Sequence, residues 1–217
     1  MIVTEKKTIE NILGSLEGYK KIFLVGCGEC STTCKTGGEP ELLGMKAQLE
    51  NRGKFVLGMC IPDAPCMAPQ IKTELAKNAK VLKEAEAILV LACGLGAQSV
   101  KANDRMGLAV IPALNTVFGA VMDAQGNFAE KCSFCGECIL DTTAGICPIT
   151  LCAKGLLNGP CGGMNKGKCE VDKDRDCAWA LIYSELEKAK KLKQFKAIRK
   201  PKDFAKSSNP RKLVSVK

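Results

Sequence analysis

The chain has 217 residues, 46% of them hydrophobic and only 5% aromatic, with 14 cysteines and no histidine. That length suits one domain or two small ones, with packing carried by Leu, Ile, Val, Ala and Met. The net charge of +9 does not mark a nucleic-acid binder: in residues 187–217 twelve Lys or Arg face only Glu187 and Asp203, which leaves the preceding 186 residues at −1.

The opening MIVTEKKTIENILGSLEGYK reads as a charged amphipathic helix. It has no apolar signal core and no small-residue cleavage site, so export is not expected. No window approaches the ~18 uncharged apolar residues of a membrane span. A cytoplasmic location follows as the expectation, and in a reducing cytosol clustered thiols bind metal more often than each other.

Residues 20–27, KKIFLVGC, form a short apolar run ending in glycine and cysteine, as a buried strand does. The loop GECSTTCKTGGEPE and the helical ELLGMKAQLENRG follow, with Gly53 as a stop. KFVLGMC (54–60) is a second strand, and IPDAPCMAP leads into one helix, QIKTELAKNAKVLKEA. EAILVLACG (86–94) is a third strand and GLAVIPALNT a fourth. Strands separated by helices of this length pair in parallel, which predicts a three-layer α/β domain over residues 1–125.

Cysteines sit at one end of that scheme. Cys27, Cys60 and Cys93 each end a predicted strand, with Cys30 and Cys34 in the first loop and Cys66 in the second. In open parallel sheets ligands bind outside the carboxyl ends of the strands. Buried structural cysteine explains one such placement; three, from separate regions, point to a metal site. Four of these six thiols would suffice, and Cys30 and Cys66 read as the spares.

Residues 126–180 show little periodicity and hold Cys132, Cys135, Cys138, Cys147, Cys152, Cys161, Cys169 and Cys177 among glycine- and proline-rich turns. So few large apolar residues call for metal cross-links as the core. Residues 181–217 read as the continuation of one long helix, spanning 177–198 with Trp179, Ile182, Leu186, Leu192 and Phe195 apolar and packing back on the body, then a mobile basic tail.

Zinc and iron–sulfur clusters both accept four thiolates. The KCSFCGEC segment places three thiols in seven residues, a spacing that lets one loop ligate three irons of a cubane. Pro148 after Cys147 fits the same pattern, although the long step from Cys138 to Cys147 departs from a simple ferredoxin. Eight thiols serve two 4Fe-4S clusters, or one cluster and one zinc. The grouping stays open at this point.

The run CPITLCAKGLLNGPCGGMNKGKCEVDKDRDCAWALIYSEL resembles the cysteine-rich segment of the methylenetetrahydrofolate reductase C-terminal family. VGCGECSTTCKTGGE and LACGLGAQSV look like the front half of the MetV-type small subunit. The resemblance implies an iron–sulfur subunit with two or three 4Fe-4S clusters in a heterodimer. A flavin-bearing reductase partner would hold FMN and bind the folate, and further subunits would donate electrons. It also carries the family's metal ligands onto the eight cysteines from Cys132 to Cys177.

A non-catalytic role agrees with the residues themselves. The commonest general acid–base residue is absent, and no G-x-G-x-x-G or P-loop occurs. The alternative of a different class is a zinc-stabilised binding or scaffold module, such as a nucleic-acid adaptor using the basic tail. A neutral body and scarce aromatics argue against nucleic acid.

Overall fold

The computed structural model describes residues 1–213. The chain divides into two units, Met1–Phe118 and Gly119–Lys217.

Unit 1 opens with a strand, β1 (Ile2–Lys6), before α1 (Ile9–Ser15). The expected opening helix therefore starts later: Ile2 to Lys6 run extended, and Thr8 caps the helix by accepting from the Asn11 backbone N–H at 3.3 Å. There follow β2 (Lys21–Val25), α2 (Cys30–Thr33), α3 (Glu39–Glu50) and β3 (Phe55–Cys60). Next come α4 (Ala68–Lys77), α5 (Ala79–Leu82), β4 (Ala87–Val90), α6 (Gly94–Asn103) and β5 (Ala109–Pro112). The strand β6 (Leu114–Met122) carries the chain out of unit 1.

The single helix expected after β3 is two. Asn78 sits between α4 and α5, and its Nδ2 donates to the Glu74 carbonyl at 2.9 Å. A side chain bonding its own preceding turn competes with helix continuation.

Strands β3-β2-β4-β5 form a parallel sheet in that order. Phe23, Val25, Ile88 and Val90 project to one face, where Ile71 and Leu75 of α4 and Val100 of α6 cover them. Ile22, Leu24 and Leu89 project to the other, under Ile12 of α1 and Leu42, Met45 and Leu49 of α3. The two-residue side-chain period of a strand thus feeds two cores at once, giving the three-layer α/β arrangement. Each fully buried Leu, Ile or Phe contributes ~1.5–3 kcal/mol. Val25 is level with Cys60 on one side and Val90 on the other, so the carboxyl ends of β2, β3 and β4 share one edge.

In unit 2 the end of β6 pairs antiparallel with β7 (Phe128–Glu130). The Asp123 carboxylate holds the turn, accepting from the Gln125 and Asn127 backbone N–H groups at 2.9 and 2.8 Å. Regular structure afterwards is brief: a 3-10 turn (Leu140–Thr142), α7 (Pro148–Leu151), α8 (Ala178–Lys188), α9 (Leu192–Lys196) and a 3-10 turn at Phe204–Ser207.

The long terminal helix is broken into α8 and α9. Lys190 takes a positive φ of 56°, and the Lys191 N–H donates to the Leu186 carbonyl at 2.8 Å, closing a Schellman-type end. The reversal brings Phe195 edge-on to Trp179 and Tyr183, with ring centroids 5.8 and 5.4 Å apart. Trp179, Ile182 and Leu186 pack with Ile146, Leu156, Leu192 and Phe195. Unit 2 therefore owns a small apolar core beside its cysteines. The Trp179 indole N–H donates to the Leu156 carbonyl at 3.0 Å, and the Arg199 guanidinium lies 5.8 Å from its ring centroid.

Candidate metal centres

All fourteen cysteines are free thiols. Those of unit 1 divide between the shared strand edge and its surroundings. Cys27 leaves β2 and Cys93 caps the start of α6, both buried. The loops beyond the strands are laced together. The Gly26 N–H donates to the Cys60 carbonyl and the Gly28 N–H to the Pro62 carbonyl, each at 2.9 Å. The Cys27 Sγ lies 3.7 Å from the Asp63 carbonyl. On the other side Pro65 presses on α6: a Cβ added at Gly96 would stand 3.1 Å from the Pro65 Cγ. Cys66 follows directly and is exposed. Burial pushes the Cys66 thiol up, and the sulfurs of Cys93, Cys27 and Cys30 add to the rise. Thiols from the other two loops thus lie near enough to Cys66 to act on it.

The remaining two have different immediate surroundings. The Cys34 Sγ points to the Ile2 carbonyl at 3.8 Å. Cys60 is buried in the core under α4 and α6, where desolvation, reinforced by the Glu74 carboxylate, pushes its thiol up to about 12. The metal ligand is the thiolate, and nothing around Cys60 stabilises one.

The eight cysteines of unit 2 sort into two sets. Cys132, Cys135, Cys138 and Cys147 together line a cavity of about 200 Å³. Backbone hydrogen bonding at Glu137 is the main influence holding the Cys135 thiol below its ordinary value, and the Lys202 ammonium, 3.1 Å from the sulfur, adds to it against burial. Cys152, Cys161, Cys169 and Cys177 line a second cavity of about 20 Å³, floored by Trp179. Here Cys169 and Cys177 are brought together by a tight loop, in which the Cys169 N–H donates to Arg175 and the Cys177 N–H to Gly167 at 2.9 and 2.8 Å. Backbone hydrogen bonds from Val171 and Asp172 hold the Cys169 thiol below its ordinary value. Between the two sets runs α7, a single turn with Cys147 at its start, Pro148 at its first position and Cys152 at its end.

Residues 111–205 match a family model described as Methylene-tetrahydrofolate reductase C terminal. This segment is similar to that family. Comparison with curated proteins and with solved structures finds no match. The matched segment takes in every cysteine from Cys132 to Cys177 and extends past Lys202, while Cys27 to Cys93 precede it.

Among the described residues no group of three or more Cys, Asp or Glu stands ready-made to hold a metal ion, and no helix is long and apolar enough to cross a membrane. The donor chemistry nonetheless suits thiophilic metal. Each set offers four sulfurs, no disulfide consumes them, and two of the lining thiols are biased toward thiolate. The cavity sizes differ about tenfold. The smaller has room for an occupant the size of one water molecule; the larger admits a multi-atom group. Spacing along the chain carries the thiol count but not this division, because Cys147 and Cys152 are close in sequence and part only in space. Lys202 carried no signal at all: it is one lysine in a basic run until folding sets it on a sulfur.

Proposed function

We propose that this chain is an electron-transfer subunit that works beside a flavin-bearing methylenetetrahydrofolate reductase subunit. The observation that carries the reading is the gathering of Cys132, Cys135, Cys138 and Cys147 around one 200 Å³ cavity. Relationship of residues 111–205 to the methylene-tetrahydrofolate reductase C-terminal family supports the metabolic setting. A 4Fe-4S cluster supplies one-electron transfer when bound.

The fourteen thiols then fall into three ligand sets with two spares. Cys132, Cys135, Cys138 and Cys147 hold one cluster. Cys27, Cys30, Cys66 and Cys93 hold a second, on the interlaced loops at the strand edge. Cys34 and Cys60 are the spares, which reverses the expectation for Cys30 and Cys66. Cys152, Cys161, Cys169 and Cys177 surround only about 20 Å³, and a single four-coordinate zinc suits that volume better than a cubane. The protein's own contribution is to fix the ligands: Cys93 and Cys177 cap the starts of α6 and α8, so a regular helix anchors one ligand in each of two of the three sets.

Anaerobic purification and metal analysis test this. A broad band near ~400 nm that bleaches with dithionite is expected, with about eight iron and one zinc per chain. A colourless protein containing zinc alone would return the chain to the class of zinc-stabilised scaffolds. Co-purification with an FMN-containing protein checks the partner; a chain that never retains a flavoprotein under anaerobic conditions counts against it.

A further inference from the structure

The basic C-terminal segment doubles back onto the Cys132–Cys138 loop and is bonded to it along several residues. Lys202 Nζ donates to the Cys135 sulfur at 3.1 Å and also to the Glu137 carbonyl. The Asp203 backbone N–H donates to the Glu137 carboxylate at 2.9 Å, and Lys206 pairs with the same carboxylate at 3.4 Å. Arg211 Nη1 donates to the Phe134 carbonyl at 2.7 Å. The approach is close enough to constrain sequence: Gly136 has a φ of 78°, and a Cβ there would meet the Lys206 carbonyl at 2.7 Å.

Exposed lysines on a solvated tail do not make such a pattern. Holding a long side chain costs rotamer freedom, so five contacts from one segment to one short loop mark a docked strap. Of its cations, only Lys202 touches a sulfur.

We propose that residues 202–211 form a strap over the iron–sulfur loop and that Lys202 sets the reduction potential of the centre held by Cys132, Cys135, Cys138 and Cys147. The inference rests on the reading of those four thiols as one cluster site. Reduction adds one electron and no proton to the centre, supplied by the one-electron donor that serves the subunit. A fixed cation hydrogen-bonded to a ligand sulfur stabilises the more negative, reduced form and raises the potential. The neighbouring Glu137 carboxylate opposes this, but it is already engaged by Asp203 and Lys206. Glu137 is one acid facing two cations, Lys202 and Lys206, so a net positive charge remains, and Lys202 is the cation at the sulfur.

The test uses the full chain reconstituted anaerobically, comparing wild type with Lys202→Met, Lys202→Arg and Lys206→Met. Iron content and midpoint potentials by EPR-monitored redox titration are the readouts. In Lys202→Met one midpoint falls by about a tenfold shift in the reduction equilibrium, ~59 mV for one electron, with iron unchanged and any other midpoint fixed. Lys202→Arg restores it, and Lys206→Met, which removes equal charge without touching sulfur, moves it much less. Unchanged midpoints in a fully loaded Lys202→Met protein overturn the inference, as does an equal shift in Lys206→Met or loss of iron in place of a shift. Absence of iron from wild type would instead defeat the cluster reading itself, so the two failures are distinguishable.

Discussion

Cys147 and Cys152 stand at opposite ends of the one-turn helix Pro148–Leu151 and line different cavities. Five residues at ~1.5 Å rise separate them by roughly 7.5 Å along the axis. Pro148 fixes the start of that turn, and the Cys152 N–H closes it on the Pro148 carbonyl at 3.0 Å. One turn thus both divides the two cysteine sets and holds them side by side.

Because the sets are separate, their loss should be separable. Cys138→Ala should lower iron by about one cubane's worth while leaving zinc in place, and Cys161→Ala should do the reverse. Metal analysis of the two variants decides this. Loss of both metals from either would mean that the eight thiols form one interdependent site.

Cys60 ends β3 and Cys93 follows β4, the two strands that flank β2, yet they should behave oppositely. Cys60→Ala removes a buried sulfur whose thiol is pushed up to about 12, at a stability cost of ~1 kcal/mol. Its metal content should match wild type. Cys93→Ala should cost the N-terminal iron and leave the C-terminal metals intact. Equal iron in both variants would remove Cys93 from the ligand set.

Unit 2 should also depend on Trp179 apart from its metals. The indole is almost fully buried, bonded to the Leu156 carbonyl and packed edge-on against Phe195. Trp179→Ala should destabilise unit 2 by ~3–5 kcal/mol, read as a lowered denaturant midpoint with metals loaded. A change under ~1 kcal/mol would mean that metal ligation alone carries this fold.

The pH dependence of unit 1 should carry a mark from Glu86. Its carboxylate accepts the Lys20 and Lys21 backbone N–H groups, which hold it below the ordinary carboxylate value. A depressed folded-state value means stability present above the unfolded value and lost as pH falls through the folded one. Glu86→Gln should therefore lower Tm near neutral pH, and the difference from wild type should close in acid. A gap that persists below the carboxylate range would assign the effect to shape and not charge.

The parallel α/β unit was legible because its strands are short apolar runs with a glycine or cysteine stop, and Phe23 and Ile22 had to feed opposite cores. Helix interruptions were not. Asn78 reads as an ordinary residue until its amide bonds the Glu74 carbonyl, and nothing local announces the reversal at Lys190 that returns Phe195 to Trp179. The initial strand was hidden for a similar reason: IVTEK is too short and too charged to outweigh the helical residues after it.

By itself the sequence determined the supply of sulfur, the absence of histidine and the placing of Cys27, Cys60 and Cys93 at strand ends, since these follow from residue type and from a period-two pattern. Tertiary packing settled which thiols share a cavity and set the Lys202 ammonium on the Cys135 sulfur. Ligation is a matter of distance between side chains far apart along the chain: Cys66 is drawn toward Cys93 by the packing of Pro65 on α6, and Lys202 toward Cys135 by a strap 67 residues away.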